Sequence, residues 1–545
     1  MADSSKKQTF LHGAALLAIA TAVVKVIGFF YKIPLSAAIG TDGYGYFTTA
    51  YNIYSLLLIV STAGLPVAMS RMISQASSLG NYNQVRKIYR VSRTIFLVLG
   101  TISTVVMMLF CRELATWLKQ PDAWAAVFCL GPCAFLMGII STYRGFFQGQ
   151  GNMRPTSNSQ MLEAVFKLAV GLGAAFLVIK VTKDVSLAAG GAILGVTFSC
   201  LVSAVYLRAV LTPAYRSLPG GDDETKSGWR TLWELLVIAV PITAGAAGLR
   251  ALNLVEQKFY MGQLVNLIET NQYMGHLVTA ETTAQKVADN IKGIFDQADT
   301  IFNMPGAFII PITVSVIPAI TSNLTLKNHD AVRETEESAA RITGLLSLPC
   351  AVGLLLVGKP VMGLLWGHTG EDLVLGGVMM SLLGVSVFLY AIIQYTNALM
   401  QAHGYAYIPV INMLSAGAAR LFVVYLLTGN PKIGMIGVPL GIGLCYLVIT
   451  VMNLIAIRIV VPQRPRLLIN ILRPVLPVTI MGIAVFGASW LLGRLGIESR
   501  TLSCAVPVLV GVVVYAVCVV LFKTIKAADC KLLPKGDKIA KLLRL

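Results

Sequence analysis

The sequence predicts an all-α polytopic membrane protein with about 14 transmembrane helices. Hydrophobic residues make up 56% of the chain and charged residues 12%, and the mean hydropathy of +0.74 lies outside the range of soluble domains. Apolar runs of the roughly 20 residues that a membrane-spanning helix needs recur from Phe10 to Phe522. These runs lack the alternation of a lipid-facing barrel strand, so we expect helices.

The predicted spans follow one another with short polar joints between them. Their boundaries carry errors of about 2–4 residues. In chain order the centres lie near Ala20, Leu58, Val98, Leu136, Val170, Gly195, Val240, Ile310, Leu354, Val387, Phe422, Cys445, Ile483 and Val512. The first run is too long for a signal peptide and contains Lys25, so we interpret it as an uncleaved first helix.

The distribution of Lys and Arg predicts that both termini are cytoplasmic. With that orientation, 27 of the 43 basic residues lie in inner segments, in agreement with the positive-inside rule. The net charge of +18 is therefore mainly a topology signal, and we see no nucleic-acid-binding module. The basic tail has two open interpretations: it rests on anionic headgroups, or it is solvated and disordered.

Two related halves are indicated by an internal repeat. The segments YRGFFQGQGNMRPTSN and YTNALMQAHGYAYIPVIN each place a proline at the start of a span and an asparagine three residues later. The first pair is Pro155 and Asn158, and the second is Pro409 and Asn412. Six helices per half give both halves the same orientation, which predicts a pseudo-twofold axis along the membrane normal and a site near the midplane.

The repeat predicts five regions. Residues 1–214 form an N-terminal six-helix bundle, 215–230 a cytoplasmic linker and 231–462 a C-terminal six-helix bundle. Residues 463–524 form two appended helices, and 525–545 the basic cytoplasmic tail.

Basic residues within the spans are the candidate substrate-binding groups. A cation at bilayer depth is costly and usually faces an internal cavity. The repeat places Lys25 opposite Arg250, and two cations in low dielectric favour an anion such as phosphate or diphosphate between them. Lys32 and Arg71 are secondary candidates, with snorkelling to the membrane surface as the alternative.

The remaining charges in the spans suggest supporting roles. Glu163 and Lys167 are four residues apart, which predicts a structural ion pair on one helix face. Glu256 and Asp299 are candidates for an outer gate, and Arg420 for either a salt bridge or a coupling site.

The long joint over residues 262–296 contains a helical pattern. Its apolar positions include Val287, Ile291, Ile294 and Ala298. We interpret this stretch as an interfacial helix or as the start of the eighth span.

Catalytic and metal-binding motifs do not emerge. The run GLLLVGK resembles a phosphate loop, but Pro360 follows it where Ser or Thr is required. The nine cysteines form no C-x-x-C pair, and we interpret most as small apolar packing residues. We therefore predict a transporter without catalytic residues, cofactor or metal, driven by a Na⁺ or proton gradient, the membrane potential or the substrate gradient.

Three segments carry a family resemblance. KVIGFFYKIPLSAAIGTDGYGYFTTAYNIY, STAGLPVAMSRMIS and GFFQGQGNMRPT closely resemble the polysaccharide biosynthesis and stage V sporulation protein B-like transporters. These belong to the multidrug/oligosaccharidyl-lipid/polysaccharide flippase superfamily. The resemblance extends over essentially the whole chain and is looser in the C-terminal half.

The resemblance implies a flippase for a lipid-linked oligosaccharide. Family members that move lipid II have basic residues on spans 1, 2 and 8 that bind the diphosphate, and Lys25 matches the span 1 position. In related flippases an Arg often follows the Asp at the head of span 8, whereas here Asp299 is followed by Thr300. Arg250 would then take that role.

The leading hypothesis is an alternating-access flippase for an undecaprenyl-diphosphate oligosaccharide, with lipid II as first candidate. It implies a monomer in the bacterial cytoplasmic membrane whose partners are this substrate and membrane lipids. A multidrug/cation antiporter of the same superfamily and a non-transporting sporulation or cell-wall scaffold are the alternatives. The antiporter would call for carboxylates in the cavity, whereas the charges within these spans are mostly basic.

Overall fold

A computed structural model describes most of the chain. It covers residues 2–62, 64–220, 225–279, 282–306, 308–309, 317, 320–321, 323–324, 327–462, 465–496, 499–526 and 529. Within these ranges the side chains of residues 2–19 and of some later positions, including Lys25, fall outside the description. All the regular structure in the described part is helical, which confirms the predicted fold class.

The helices of the first part of the chain follow the apolar runs. They are α1 (Ala2–Thr62), α2 (Gly64–Ser78), α3 (Tyr82–Leu109), α4 (Cys111–Trp117), α5 (Trp124–Gly149), α6 (Arg154–Thr182), α7 (Val185–Arg216) and α8 (Gly228–Glu269). In α1 a kink falls at Gly40, whose φ of 73° is in the region that glycine tolerates best. The carboxylate of Asp184 accepts hydrogen bonds from two backbone N–H groups and so caps the start of α7.

The second part of the chain contains eight further helices in its described residues. Its helices are α9 (Ala284–Phe302), α10 (His329–Trp366), α11 (Gly370–Ala402), α12 (Tyr407–Thr428), α13 (Gly437–Val460), α14 (Leu467–Ile471), α15 (Val475–Arg494) and α16 (Arg500–Leu521). Helices α15 and α16 lie within residues 463–524, the predicted appended region. Both pack on α10, where the Tyr515 hydroxyl donates to the Leu345 carbonyl at 2.6 Å.

The length and hydropathy of the helices agree with the predicted spans. Among the described residues, 11 helical segments are long and apolar enough to cross a membrane, and each contains a predicted centre. Of the other three centres, Ala20 lies in α1 and Val240 in α8, whereas Ile310 is outside the described residues. The count of 14 is consistent with this pattern. The amphipathic helix α9 is not among the candidate spans.

Contacts between Cα atoms divide the chain into two compact units. Unit 1 comprises residues 1–262 and 279–293, and unit 2 comprises residues 263–278 and 294–545. The first boundary falls within α8 and the last within α9. This division does not test the five predicted regions, which stay predictions.

Close helix contacts in unit 1 depend on small residues. Where α6 meets α7, a methyl group added to Gly195 would lie 2.2 Å from the Gly171 Cα atom. Helices in membranes approach one another most closely where such residues meet. The pair of glycines therefore sets the distance between α6 and α7.

The repeated asparagines make equivalent contacts in each unit. In unit 1 the Asn158 amide donates to the Tyr206 hydroxyl at 3.1 Å, which joins α6 to α7. In unit 2 the Asn412 amide donates to the Asn453 carbonyl oxygen at 2.9 Å, which joins α12 to α13. Each asparagine thus connects the helix opened by its proline to the following helix, in agreement with the predicted repeat.

Candidate functional site

The four predicted substrate-binding residues lie on α1, α2 and α8. The Lys25 side chain is outside the described residues, so its predicted position opposite Arg250 stays a prediction. Arg250 on α8 and Arg71 on α2 are exposed, and Lys32 on α1 is half-buried.

Lys167 on α6 is the cation whose surroundings are best defined. Its ammonium group donates to the Tyr51 hydroxyl at 2.8 Å. The same nitrogen lies 4.8 Å from the centre of the Tyr51 ring and 5.3 Å from that of Tyr31. Lys32 acts on it electrostatically, so cations from α1 and α6 lie within electrostatic range of each other in unit 1.

The predicted ion pair of Glu163 forms with a different cation. Glu163 accepts a hydrogen bond from the Arg144 guanidinium at 2.8 Å, and the same guanidinium donates to the Ser159 hydroxyl. Lys167 acts on Glu163 only through space, because its ammonium group is directed to Tyr51. The expectation that Lys167 is the main partner of Glu163 was wrong: the forked Arg144 on α5 reaches this carboxylate and holds two groups of α6 at once.

A second polar cluster in unit 1 surrounds Asp289 on α9. One oxygen of its fully buried carboxyl accepts hydrogen bonds from the Gln120 and Gln285 amides at 3.1 and 2.9 Å. The other oxygen lies 3.4 Å from the Tyr46 hydroxyl of α1. The same hydroxyl lies 3.4 Å from a carboxyl oxygen of Asp122, in the turn before α5.

Lys292 extends this cluster by one helical turn. Its side chain is fully buried, and its ammonium group donates to the Gly45 carbonyl at 3.4 Å and to the Thr48 hydroxyl at 3.2 Å. Residues of α9 therefore hold both a buried acid and a buried base against α1.

The apolar face of α9 could be recognised from the sequence, whereas its polar face was not recognised. The apolar positions Val287, Ile291, Ile294 and Ala298 are buried, which confirms the helical pattern. The sequence signal for the polar face is the spacing of Gln285, Asp289 and Lys292. These residues are four and three positions apart, so one polar side chain per turn falls on the same side of the helix.

Two of the three predicted gate or coupling residues lie within electrostatic range of the same tyrosine in unit 2. Asp299 on α9 and Arg420 on α12 both act electrostatically on the Tyr446 hydroxyl. The Tyr446 ring packs with those of Tyr390 and Phe302 at centroid distances of 5.9 and 6.3 Å. Glu256, the third, is buried on α8 in unit 1.

An apolar groove of about 430 Å³ lies in unit 2 between α10 and α15. Side chains such as Leu348, Leu356, Val478 and Phe486 line it. Its lining matches a hydrocarbon chain better than a polar ligand. Among the described residues, no three His, Cys, Asp or Glu side chains form a group suited to a metal ion.

Comparison with known proteins identifies the family. The model of the polysaccharide biosynthesis protein family matches residues 10–324, more than half of the chain. The chain belongs to this family. It is 25% identical over 459 residues to stage V sporulation protein B of Bacillus subtilis strain 168, covering 84% of this chain and 85% of that protein. It is 24% identical over 511 residues to lipid II flippase MurJ of the same organism, covering 89% of each.

Solved structures show that this member of the polysaccharide biosynthesis family shares a transporter fold. A lipid II flippase MurJ structure in an inward closed conformation superposes with a TM-score of 0.68 at 13% identity, covering 93% of this chain and 99% of that one. An inward-facing multidrug resistance MATE family transporter gives a TM-score of 0.59 at 16% identity, covering 81% and 98%. The protein is therefore a multi-pass membrane protein of the polysaccharide biosynthesis family, with the fold of these transporters.

Proposed function

We propose that this protein is a flippase that translocates a lipid-linked oligosaccharide carrying a diphosphate, with lipid II as the first candidate, by alternating access. The observation that carries the proposal is Lys167 of unit 1, held by Tyr31 and Tyr51 within electrostatic range of a second cation, Lys32. The similarity to stage V sporulation protein B and to the flippase MurJ gives independent support. The site lies in the bacterial cytoplasmic membrane under the predicted topology.

The two lysines suit an anion of high charge. Like charges repel strongly where the effective dielectric constant is low, and an anion placed between them converts that repulsion into attraction. Phosphate oxygens accept charge-assisted hydrogen bonds from ammonium groups, and these are roughly twice as strong as neutral ones. The faces of Tyr31 and Tyr51 hold Lys167 in position without neutralising it.

In this proposal, the residues predicted from the sequence take part in transport together with the two lysines. Lys25, Arg250 and Arg71 contact the same headgroup at other stages of transport, and Glu256, Asp299 and Arg420 act in gating or coupling. The lipid tail stays in the apolar phase of the membrane throughout transport.

The proposal is tested by complementation of cells depleted of their lipid II flippase. We expect the wild type to restore growth, and Lys32→Ala and Lys167→Ala to reduce rescue. Loss of one charge-assisted contact of about 1.5–3 kcal/mol corresponds to roughly 10- to 100-fold weaker binding. Lys180→Ala is the matched control, because Lys180 is an exposed cation on the same helix as Lys167.

Native mass spectrometry of the purified protein identifies the substrate directly. A co-purifying prenyl-diphosphate saccharide that is lost in the Lys32→Ala/Lys167→Ala double variant supports the proposal. Full rescue by that double variant at wild-type membrane levels contradicts the anion site. Lys25→Ala and Arg250→Ala, tested in parallel, show whether the predicted pair contributes. Resistance to cationic drugs, without co-purifying lipid, would instead indicate the antiporter.

A further inference from the structure

The apolar groove between α10 and α15 has no role in the proposed function. Val352 and Leu356 of α10 lie on one side of it, and residues from Val475 to Phe486 of α15 lie on the other. The two helices meet closely at Gly482, where an added methyl group would be 3.2 Å from a methyl carbon of Val352. Val475 and Phe486 are 42% and 64% exposed. The groove is therefore closed at its bottom and opens on the surface of a membrane-spanning helix.

The length and polarity of the groove fit a hydrocarbon chain from one leaflet. Its lining runs over 11 positions of α15, from Val475 to Phe486, which corresponds to roughly 16 Å. This is about half of the hydrocarbon core of a bilayer, which is roughly 30 Å thick. Thr479 is the polar side chain in the lining, and its hydroxyl already donates to the Val475 carbonyl at 2.8 Å. A prenyl chain long enough to cross both leaflets would extend beyond the groove.

Two exposed cations lie at the Val475 end of the groove. Arg473 is two positions before Val475, and its guanidinium donates to the Lys523 carbonyl, just after α16, at 3.3 Å. Both side chains are exposed, and neither forms an ion pair with an acid in the described part of the chain. Asp529, the next acid along the chain, is buried and paired with Arg341. Positive charge without a carboxylate partner therefore adjoins an apolar surface.

We propose that this groove binds one acyl chain of an anionic phospholipid whose phosphate group is held by Arg473 and Lys523. Phosphate oxygens accept charge-assisted hydrogen bonds from both kinds of cation. Basic residues at a membrane surface favour anionic lipids over neutral ones. Under the predicted topology the lipid comes from the inner leaflet. The site belongs to unit 2, whereas Lys32 and Lys167 belong to unit 1, so the inference does not depend on which lipid the protein moves.

Native mass spectrometry of the full-length protein in detergent tests the proposal. The protein is titrated with phosphatidylglycerol and with phosphatidylcholine that carries the same acyl chains. We expect tighter binding of phosphatidylglycerol by the wild type. Arg473→Gln/Lys523→Gln should weaken that binding by roughly 5-fold for each charge removed, because each cation near a membrane surface contributes about that factor. Binding of phosphatidylcholine should not change.

The matched control removes two exposed cations from the other end of the same helices. Arg494 lies eight positions beyond Phe486, roughly 12 Å along the helix axis, and Arg500 is the first residue of α16. Arg494→Gln/Arg500→Gln has the same net charge as the first double variant and should bind phosphatidylglycerol like the wild type. Equal losses in the two double variants, or equal binding of the two phospholipids by the wild type, overturn the role of Arg473 and Lys523.

Thr479→Trp tests the groove while it keeps both cations. An indole in the lining fills the space for the acyl chain, so binding of both phospholipids should fall. Binding of phosphatidylglycerol that is unchanged in a folded Thr479→Trp protein overturns the groove as the site. Displacement of phosphatidylglycerol by an equal concentration of undecaprenyl phosphate would assign the groove to a prenyl lipid, and displacement by inorganic phosphate would show that the acyl chain contributes nothing. Either result overturns the proposal, and neither bears on the complementation experiment.

Discussion

Glu163 shows how a tertiary contact replaces a local one. The spacing to Lys167 is favourable for an ion pair within a helix, but such pairs contribute only about 0.2–0.5 kcal/mol. The Arg144 guanidinium is 2.8 Å from the Glu163 carboxylate, and these side chains are only 12% and 21% exposed. The small energy of a pair within one helix cannot outweigh the contact of Glu163 with the forked guanidinium of another helix.

Glu163→Gln should therefore destabilise the protein. Removal of one partner of a buried pair costs about 3–5 kcal/mol, and the residual exposure places this case toward the lower end. We expect a clear fall in the midpoint of thermal unfolding in detergent. Glu234→Gln, which disrupts a more exposed pair with Lys226, should cost about 0–1 kcal/mol. Equal losses in the two variants would contradict the structural role of Arg144 and Glu163.

Asp289 should make stability depend on pH in a particular direction. Its pKa rises from the usual 3.8 to about 7 on folding, so the folded state keeps the proton that the unfolded state loses first. The free energy of unfolding should then decrease as the pH rises from about 4 to about 7, and this contribution should be constant above that range. Because other groups also titrate, the test is the difference between wild type and Asp289→Asn in denaturation experiments at pH 5 and pH 8. A difference that is the same at both pH values contradicts the prediction.

The contact between α6 and α7 depends on the absence of side chains at Gly171 and Gly195. A methyl group at Gly195 would lie 2.2 Å from the Gly171 Cα atom, so Gly195→Ala must push the helices apart. Overpacking of this kind costs typically about 1–3 kcal/mol. Gly173→Ala on α6 is the control, because no atom lies within 4 Å of the added methyl group. We expect a lower unfolding midpoint for Gly195→Ala and an unchanged or higher one for Gly173→Ala, since alanine favours helix more than glycine does. Unchanged stability in Gly195→Ala would mean that the two helices can separate without cost.

The elements could be predicted from sequence to different extents. Long apolar runs such as those around Val98 and Val512 predict spanning helices directly, since length and hydropathy suffice. The apolar face of α9 was equally predictable from its period. The roles of Asp289 and Lys292 were not, because their partners lie more than 160 residues away in α1 and before α5. Helical spacing shows that two residues share a face, but not what packs against it.

For the whole chain, the sequence predicts the family and the internal repeat better than it predicts the position of the proposed binding site. The motifs around Lys25 and Pro155 indicate the family, and the asparagines after Pro155 and Pro409 make equivalent contacts in each unit. A binding site, in contrast, depends on which charges converge in space. The pair of Lys32 and Lys167 emerged only with the fold, because nothing in their spacing connects α1 to α6.

Asp529, near the start of the predicted tail, is bound to a distant helix. Asp529 is fully buried, and its carboxylate accepts a hydrogen bond from the Arg341 guanidinium of α10 at 2.7 Å. Arg341 donates in addition to Asn470 of α14 at 2.9 Å, and Ser338 donates to Asp529. The predicted tail therefore contains a packed residue near its start, which neither the headgroup-bound nor the solvated interpretation anticipated.

This ion pair predicts that the start of the tail stabilises unit 2. Asp529→Ala leaves the buried Arg341 without its carboxylate, which should cost about 3–5 kcal/mol, because an uncompensated charge then remains in a low-dielectric environment. The double variant Arg341→Met/Asp529→Ala removes both charges and should recover much of the loss, since replacement of a whole buried pair by apolar groups is often neutral. Thermal unfolding of the three proteins in detergent measures both effects, and truncation after Lys526 should resemble Asp529→Ala. If the double variant is as unstable as Asp529→Ala, or if truncation has no effect, the pair does not stabilise unit 2.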